Sequence, residues 1–280
     1  KAIDDAGISH KDLDAIAVTN GPGLSGSLLI GVNVAKSLGF AWNKKVFGVN
    51  HLEGHIYSAW LENLFKDSKL DFPLACLIAS GGHTDLIIMN GHLDYNVIAR
   101  TRDDAAGEAF DKVARVLGLG FPGGPEIQKA ATVNKTSMPP FPRPEIKDSM
   151  DFSFSGLKTA VVRRAESDGF YPEGKTYPTP KQVREYAFEF QDAVVDCLID
   201  RTIKSTNLYK CNGIILGGGV AANSHLRSKM SEKSPVPVVI PKISFCTDNG
   251  AMIGAAAYFR SKEIATSNWD MDATPNLPLI

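Results

Sequence analysis

The alternation of hydrophobic and polar positions predicts an α/β protein. Apolar residues recur at strand period in some stretches and at helical period in others. Strands are predicted at 13–19, 45–49, 74–79, 85–89, 213–216 and 236–242. Helices are predicted at 1–7, 27–40, 51–61, 157–166, 181–206 and 251–259, with a further helix opening at 103–112.

Two stretches interrupt this pattern. A polar link at 66–71 separates the first strands and helices from the buried strand at 74–79. Residues 132–158 are irregular and rich in Pro, Ser and Lys, and a loop of that length in a compact domain is typically functional or a long connection. At 280 residues, the chain has room for two domains or one large α/β unit.

His51 and His55 are four residues apart at the start of a predicted helix, so both imidazoles lie on one helical face. Neutral imidazole binds zinc or iron, and this spacing is used by two-histidine metal sites. The protease pattern needs a glutamate directly after the first histidine, whereas Leu52 is there and Glu53 points roughly to the opposite side. Histidines at this spacing also occur as ordinary surface or core residues, so the pair alone leaves both interpretations open.

Several glycine-rich turns follow predicted strands. Residues 80–84 form a hairpin turn whose amides and hydroxyls could converge on an anion, although a tight turn needs glycine anyway. Gly217, Gly218 and Gly219 precede a helix, an arrangement that favours anions. A dinucleotide fold is disfavoured because the next strand ends in Lys242 rather than an acid, and a P-loop is excluded because Ser27 replaces its lysine.

Asp104, Glu108 and Asp111 are spaced four and three residues apart. Such a stripe is usually a solvated face, but the glycine loop at 121–125 follows closely and suggests a functional role. Asp248 precedes a helix of small residues and is either an N-cap or a third ligand beside the histidine pair. Two histidines and one aspartate leave coordination positions open.

Composition narrows the class of protein. Lys+Arg number 30 and Asp+Glu 31, so any RNA site must be a local patch rather than a global basic field. The four cysteines are far apart in apolar surroundings, which predicts reduced, buried thiols and an intracellular compartment. No apolar run approaches the roughly 18 residues that span a bilayer, so we expect no membrane partner.

Seven motifs in order closely resemble the TsaD family, and together they cover nearly the whole chain. They are HLEGH at 51–55, SGGHT at 80–84, DDAAGEAFDK at 103–112, FPGGP at 121–125, FSFSGLK at 152–158, GGGVAAN at 217–223 and CTDNG at 246–250. The residues of the acidic helix and of the hairpin are similar to those of the bacterial and mitochondrial branch.

The resemblance implies the two-lobed actin, sugar-kinase and Hsp70-like (ASKHA) fold, with duplicated RNase H-like lobes. Residues 1–75 would form the first lobe, with a C-terminal helix at 250–280 packing back on it, and 76–249 the second. The family opens with a strand hairpin carrying an acidic, Thr/Ser-rich phosphate motif, and this sequence begins after it. We therefore expect the N-terminal strands to be missing from the first lobe.

The resemblance also implies the activity and the site. The family transfers a threonylcarbamoyl group from threonylcarbamoyl-AMP to N6 of adenosine 37 in tRNAs that read ANN codons. One divalent ion, zinc or iron, would be held by His51, His55 and Asp248. Contacts to the substrate or to an ATP-like nucleotide are implied for Ile78, Ala79, Ser80, Gly81, Gly82, Asp111, Gly124 and Asn223. Glu108 or Asp111 is expected to accept the N6 proton.

Expected partners are the tRNA anticodon loop, a separate synthase that supplies the adenylate, and a second copy of the chain in a homodimer. A mitochondrial location is favoured by the branch and by the Asn-, Lys- and Ser-rich loops, with the bacterial cytoplasm as the alternative. Two other functions stay open: a metallopeptidase of glycoproteins, suggested by the histidine pair, and a non-catalytic ATP-binding scaffold, suggested by the fold.

Overall fold

The structure is a computed structural model that describes residues 1–61, 71–132, 136–171, 176–263 and 269–279. The chain divides into two compact units, Lys1–Asn63 with Asp248–Ile280, and Leu64–Thr247. The assignment of 1–75 and 76–249 to two lobes stays a prediction. Among the described residues, every helix is too short or too polar to cross a bilayer.

The chain contains both helices and strands, as the hydrophobic pattern predicts. The described helices are α1 (Ala2–Asp5), α2 (Ser25–Trp42), α3 (His51–Tyr57), α4 (Ala106–Val116), α5 (Gly123–Ala130), α6 (Ser155–Ser167), α7 (Pro180–Leu208), α8 (Ser224–Lys233), α9 (Ile243–Cys246) and α10 (Gly250–Glu263). The described strands are β1 (Ala15–Gly21), β2 (Lys45–Asn50), β3 (Leu74–Ala79), β4 (Thr84–Gly91), β5 (Asp94–Arg100), β6 (Gly213–Gly217) and β7 (Val238–Val239). Short 3₁₀ turns lie at His10–Asp12, Ser58–Trp60 and Gly219–Ala222.

The first unit is built on the parallel strands β1 and β2, which α2 connects. One face of α2 is buried through residues spaced three or four apart: Leu28, Val32, Ala35 and Gly39. Strand β2 runs directly into α3, and α10 packs against α3 and both strands. This packing brings residues from distant parts of the chain beside the histidine helix.

The second unit contains a five-stranded sheet in the order β5-β4-β3-β6-β7. β3, β4 and β5 are antiparallel neighbours, whereas β6 and β7 run parallel to β3. This is the strand order of an RNase H-like lobe. Ala75, Leu77 and Ala79 of β3 share a buried core with Phe110 of α4 and Phe190 of α7. The carboxyl ends of β3 and β6 lie side by side, which places their glycine turns together.

The structure corrects several predictions. β5 was not predicted. The strand predicted at 236–242 contains only Val238–Val239, because the flanking Pro237 and Pro241 have no N–H for the ladder. The helix predicted from 103 begins at Ala106, since Asp103 and Asp104 bond elsewhere. The C-terminal helix predicted over 250–280 ends at Glu263, and residues 269–279 form turns and extended chain. Most of the polar link at 66–71 lies outside the described residues.

Candidate metal centre and nucleotide-binding loops

His51, His55 and Asp248 come together within the first unit. Nε2 of each histidine lies 3.3 Å from Oδ1 of Asp248, and the two rings are 4.7 Å apart. One ligand atom from each residue falls within 4.8 Å of the others. The predicted grouping of these three residues is therefore present in the structure.

Local sequence fixes this arrangement. The Asn50 side chain caps α3 by accepting a hydrogen bond from Leu52 N at 2.9 Å, so the helix starts at His51. Gly54 lets α10 approach, because a Cβ there would lie 2.7 Å from Ile253 Cδ1. The Asn249 side chain accepts a hydrogen bond from Met252 N at 2.9 Å and holds the first turn of α10 beside Asp248. The carboxylate lies in the short connection before α10 and faces the two imidazoles because α10 packs against α3.

The polar atoms of this cluster fit a divalent ion. The His55 side chain is buried, and neither of its ring nitrogens has a hydrogen-bond partner among the described residues. Its Nε2 lies 3.3 Å from Oδ1 of Asp248 without the alignment of a hydrogen bond. The neighbouring His51 and His55 imidazoles hold the pKa of the Asp248 carboxyl well below its usual range. An ionised carboxylate and an unsatisfied imidazole are the state that metal binding requires.

Glu53 is removed from this centre. Its buried carboxylate accepts a hydrogen bond from Arg260 Nη2 of α10 at 2.7 Å. A helical metallopeptidase needs a glutamate free to act as general base beside the metal. Glu53 has a structural partner instead, in agreement with its predicted orientation away from the histidines.

The hairpin turn at 80–84 is tied by hydrogen bonds within the second unit. Ser80 N donates to His83 O at 2.8 Å, and Ser80 Oγ accepts from His83 N at 3.1 Å. Ile78 and Ala79 are buried at the end of β3, whereas Gly81 and Gly82 are exposed with open space around them. Of the predicted nucleotide contacts in this stretch, the accessible ones are therefore at 80–82.

Gly107 and Gly218 pack closely against the backbone at the start of this turn. A Cβ on Gly107 would lie 2.6 Å from Ser80 O, and Gly107 N donates to that oxygen at 3.0 Å. Gly218 has φ +85, and its Cβ would lie 2.3 Å from Ala79 O. The first turn of α4 and the loop after β6 thus pack directly on the end of β3, and larger residues at these glycines would separate them.

Asp111 joins α4 to the next glycine loop. Its Oδ1 accepts a hydrogen bond from Gly123 N at 2.7 Å, and a Cβ on Gly123 would lie 2.6 Å from the Cα of Asp111. Gly124 has open space at the start of α5. Glu108 lies on the same helix, half-exposed, with Oε1 2.9 Å from Lys112 Nζ. Asp111 is thus engaged with the backbone and Glu108 with a lysine.

Asn223 is buried at the start of α8. Its Oδ1 accepts a hydrogen bond from Leu226 N at 3.0 Å, and its Nδ2 donates to Gln191 Oε1 of α7 at 2.8 Å. These bonds fix the orientation of the amide that is predicted to contact nucleotide.

Sequence reasoning missed the role of Asp103 and Asp104. Asp103 accepts hydrogen bonds from Phe154 N and from the hydroxyls of Ser153 and Ser155, and Asp104 binds the amines of Lys112 and Lys158. Burial raises the pKa of Asp104, but the two lysines outweigh it and lower the pKa below its usual value. The motifs at 103–112 and 152–158 are therefore bonded to each other. The signal was the pairing of adjacent acids in one motif with Ser and Lys in the other.

Asp85 was also missed. It follows the hairpin turn in β4, is buried, and lies 3.4 Å from Arg100 Nε through Oδ1, while Oδ2 has no partner among the described residues. Burial raises the pKa of Asp85 to about 6, against a smaller opposing effect of Arg100. Nothing in the sequence marks this aspartate as buried except its place inside an otherwise apolar strand.

Comparison with known proteins places these motifs in a family. The model of the TsaD family, described as tRNA N6-adenosine threonylcarbamoyltransferase, matches residues 1–255. The threonylcarbamoyltransferase of Thermomicrobium roseum is 48% identical over 294 residues, which cover 100% of this chain and 80% of that protein. The one from Halalkalibacterium halodurans is 47% identical over 283 residues, covering 100% of this chain and 79% of its own length.

Solved structures show the fold alone. HypF of T. kodakarensis is similar with a TM-score of 0.64 and 14% sequence identity, over 90% of this chain and 41% of that one. A full-length HypF in a phosphate- and nucleotide-bound form gives a TM-score of 0.60 with 16% identity, over 84% of this chain and 38% of that one. These likenesses confirm the predicted ASKHA type of fold. With the family match and the relatives near 48% identity, the chain belongs to the TsaD family of tRNA N6-adenosine threonylcarbamoyltransferases.

Proposed function

We propose that this protein transfers a threonylcarbamoyl group from threonylcarbamoyl-AMP to N6 of adenosine 37 in tRNAs that read ANN codons, releasing AMP. The observation that carries the proposal is the His51, His55 and Asp248 cluster in a chain that matches the family from residue 1 to 255. The relatives that share almost half of its residues bear the corresponding name.

The donor is a mixed anhydride, so the enzyme need not supply a covalent nucleophile. The cysteines agree with this requirement. All four are buried, and burial raises the pKa of Cys197 to about 12 and that of Cys211 to about 11. Neutral buried thiols are poor nucleophiles. Orientation of the carbonyl and neutralisation of the departing AMP therefore carry the reaction.

We assign the nucleotide to the glycine loops of the second unit. Gly81, Gly82 and Gly124 have open space beside their backbone, and Asn223 is held in place by Gln191. Backbone amides at turns and helix starts bind phosphate oxygens well. The acceptor adenosine must leave the anticodon-loop stack, which costs a few kcal/mol in a duplex and less in a single-stranded loop.

His51, His55 and Asp248 would hold one divalent ion, zinc or iron. When bound, the ion supplies Lewis-acid polarisation and a template for phosphate or carbonyl oxygens. The residues themselves suit an ion that also contacts substrate, because His55 is buried with unpartnered nitrogens and the Asp248 side chain is 78% exposed. The site is thus closed on the protein side and accessible on the other.

The proton acceptor for N6 is proposed to be Glu108 or Asp111. Glu108 is favoured because one oxygen of Asp111 is already bonded to Gly123 N. Glu108 bonds only to the flexible side chain of Lys112 among the described residues, on a half-exposed helical surface. A general base in this position contributes typically 10²- to 10⁴-fold to the rate.

The proposal is tested by nucleoside mass spectrometry. The purified protein is incubated with a tRNA transcript, threonine, bicarbonate, ATP and a synthase that makes the adenylate. We expect N6-threonylcarbamoyladenosine in digests of a transcript with adenosine at position 37, and none when that position is guanosine. Unmodified adenosine with both transcripts, while the synthase makes the adenylate, would contradict the proposal.

The two alternatives have their own tests. The metallopeptidase of glycoproteins predicts proteolysis that disappears with a chelator and in Glu53→Ala, but the Glu53–Arg260 pair disfavours this interpretation. The non-catalytic scaffold predicts ATP binding without bound metal. The scaffold does not account for the three cluster residues, since it needs no metal.

A homodimer is also proposed, through the solvent face of α2. The large apolar residues on this surface are more than half exposed: Leu29, Ile30, Val34 and Phe40. The helix carries one charged residue, Lys36, whose amine binds Met271 O at 3.0 Å, so two copies would meet without charge repulsion. Sedimentation should show a dimer that Val34→Glu converts to a monomer. A monomer in both proteins would sink this assignment.

A separate synthase is proposed to supply the adenylate, as the membership of the TsaD family implies. A mitochondrial location is proposed from the Asn-, Lys- and Ser-rich loops, with the bacterial cytoplasm as the alternative. The relatives named above are bacterial, which supports that alternative. Fractionation of the source cells, with detection of the chain in each fraction, separates the two.

A further inference from the structure

A cavity of about 590 Å³ lies between the long loop and α7, within the second unit and apart from the glycine loops. It is lined by Glu145, Ile146, Lys147, Asp148, Ser149, Met150, Arg201 and Lys204. This volume is in the range of sites that hold small organic ligands. The stretch from 132 to 158 is predicted to be either a long connection or a functional insertion, and the family motif accounts only for its end, at 152–158.

Arg201 distinguishes this cavity from an ordinary surface depression. The residue is 5% exposed, yet its guanidinium makes no hydrogen bond or ion pair to any other described residue. The guanidinium nitrogens are not among the fully buried side-chain atoms that lack a partner, so they reach the space of the cavity, and arginine stays protonated there at physiological pH. Other positions of α7 that are buried to this degree include Leu198 and Thr202, which carry no charge. Arg201 therefore presents to the cavity a positive charge that no carboxylate of the described residues binds.

The remaining charged lining residues balance, so the net positive charge of the cavity is that of Arg201. Lys147, Arg201 and Lys204 outnumber Glu145 and Asp148. Lys204 Nζ lies 3.2 Å from Glu145 Oε1, but both side chains are more than half exposed, so this pair is weak and an anion would compete with it. Ser149 adds a hydroxyl beside the cations.

We propose that this cavity binds the phosphate group of an organic ester, held by Arg201 from within and by Lys204 at the rim. A guanidinium presents paired N–H groups that match two phosphate oxygens, and an ammonium adds a point charge. The ester would fill the volume that a phosphate ion alone leaves empty. The source is either a mononucleotide or a phosphodiester of RNA, since both present the same chemistry.

The proposal is tested by the rise in unfolding temperature with inorganic phosphate, measured at constant ionic strength. A ligand that binds only the folded protein stabilises it in proportion to its affinity. Arg201→Met should weaken the phosphate affinity by roughly tenfold or more, and Lys204→Met by roughly threefold, because bonds to a charged partner are lost. Lys181→Met is the matched control, since it removes one exposed cation from the same helix and should change nothing.

Equal phosphate affinity in all four proteins would overturn the proposal, as would absence of any phosphate effect in the unsubstituted protein. If Arg201→Met fails to fold, Lys204→Met decides, and an unchanged affinity there overturns the proposal. Competition between phosphate and either AMP or tRNA then identifies the phosphate ester that the cavity binds. Loss of the Arg201-dependent phosphate effect on adding AMP assigns a mononucleotide, and its loss only on adding tRNA assigns an RNA phosphodiester.

Discussion

The metal centre of the first unit (His51, His55 and Asp248) and the acidic cluster of the second unit (Asp103, Asp104 and Asp111) both contain carboxylates. Sequence motifs mark both regions as candidate functional sites. They differ in how their polar atoms are satisfied. The ring nitrogens of His55 have no hydrogen-bond partner among the described residues and the Asp248 side chain is 78% exposed, whereas Asp103, Asp104 and Asp111 are bonded to lysines, hydroxyls or backbone amides. The metal centre therefore has polar atoms available for an external ligand, whereas the acidic cluster uses its polar atoms to hold loops in place.

The largest loss of activity is expected from removing one of the predicted metal ligands. Asp248→Ala should lower threonylcarbamoyl transfer by roughly 100-fold or more, since even outer-shell changes at metal sites cost 10- to 100-fold. Because this side chain is exposed, the fold should be retained, as circular dichroism would show. Asp14→Ala, which removes an exposed carboxylate from the same unit, should transfer at the original rate. Normal transfer by Asp248→Ala would contradict the claim that the metal centre, unlike the acidic cluster, binds an external ligand.

Arg260→Met sharpens the comparison inside the first unit. It leaves the 2% exposed Glu53 carboxylate without its partner, and breaking a buried pair costs about 3–5 kcal/mol. Urea unfolding should show this loss. Lys262→Met on the same helix removes a cation over the Tyr258 ring and should cost only about 0.5–1 kcal/mol. Equal losses in the two variants would mean that Glu53 is not held by Arg260 and is free for another role.

Substitutions of Asp111 test whether this residue of the acidic cluster acts by holding the backbone of the next glycine loop. Asp111→Ala loses the hydrogen bond to Gly123 N and should lower transfer by roughly 100-fold, within the range of effects for general bases and loop positioning. Asp111→Asn keeps an acceptor oxygen and should restore most of the rate. Asparagine cannot take a proton at neutral pH, so an Asn variant as slow as the Ala variant would instead assign Asp111 as the proton acceptor.

Asp85 should give the smallest effect. Its pKa is raised from 3.8 to about 6 in the folded protein, so its contribution to stability is full below pH 3.8 and is lost as the pH rises through 6. Asp85→Asn should therefore raise the unfolding free energy at pH 7 by on the order of 1–3 kcal/mol and have little effect near pH 4. Urea unfolding at both pH values checks this. A loss of stability at pH 7 would indicate that the charged form is favoured.

Much of the fold follows from the sequence because apolar periodicity is strong where elements are buried. β3 is predicted at its observed bounds, since all of its residues are buried between neighbouring strands. β5 was missed because exposed polar residues such as Asp94 and Asn96 interrupt its pattern. The predicted length of α10 was wrong because 269–279 does not continue the helix but bonds to β1 and its following turn through Thr274 and Pro275.

The site residues likewise divide into those that the sequence predicts and those that it does not. The three metal-cluster residues were found because histidine spacing is local and the motifs are distinctive. The bonds between Asp103 and Ser155 and between Asp104 and Lys158 span about fifty residues, and no local pattern indicates such pairs. The place of Arg201 in the cavity also depends on how residues 145–150 pack on α7, so it could not be read from the sequence.

The central claim is that His51, His55 and Asp248 form a metal site. It is tested most directly by the metal content of the purified protein after equilibrium dialysis against zinc or iron(II). The account predicts about one ion per chain in the unsubstituted protein and almost none in Asp248→Ala or His55→Ala, with Asp14→Ala unchanged. Equal metal content in all four proteins, or none in any of them, would contradict it.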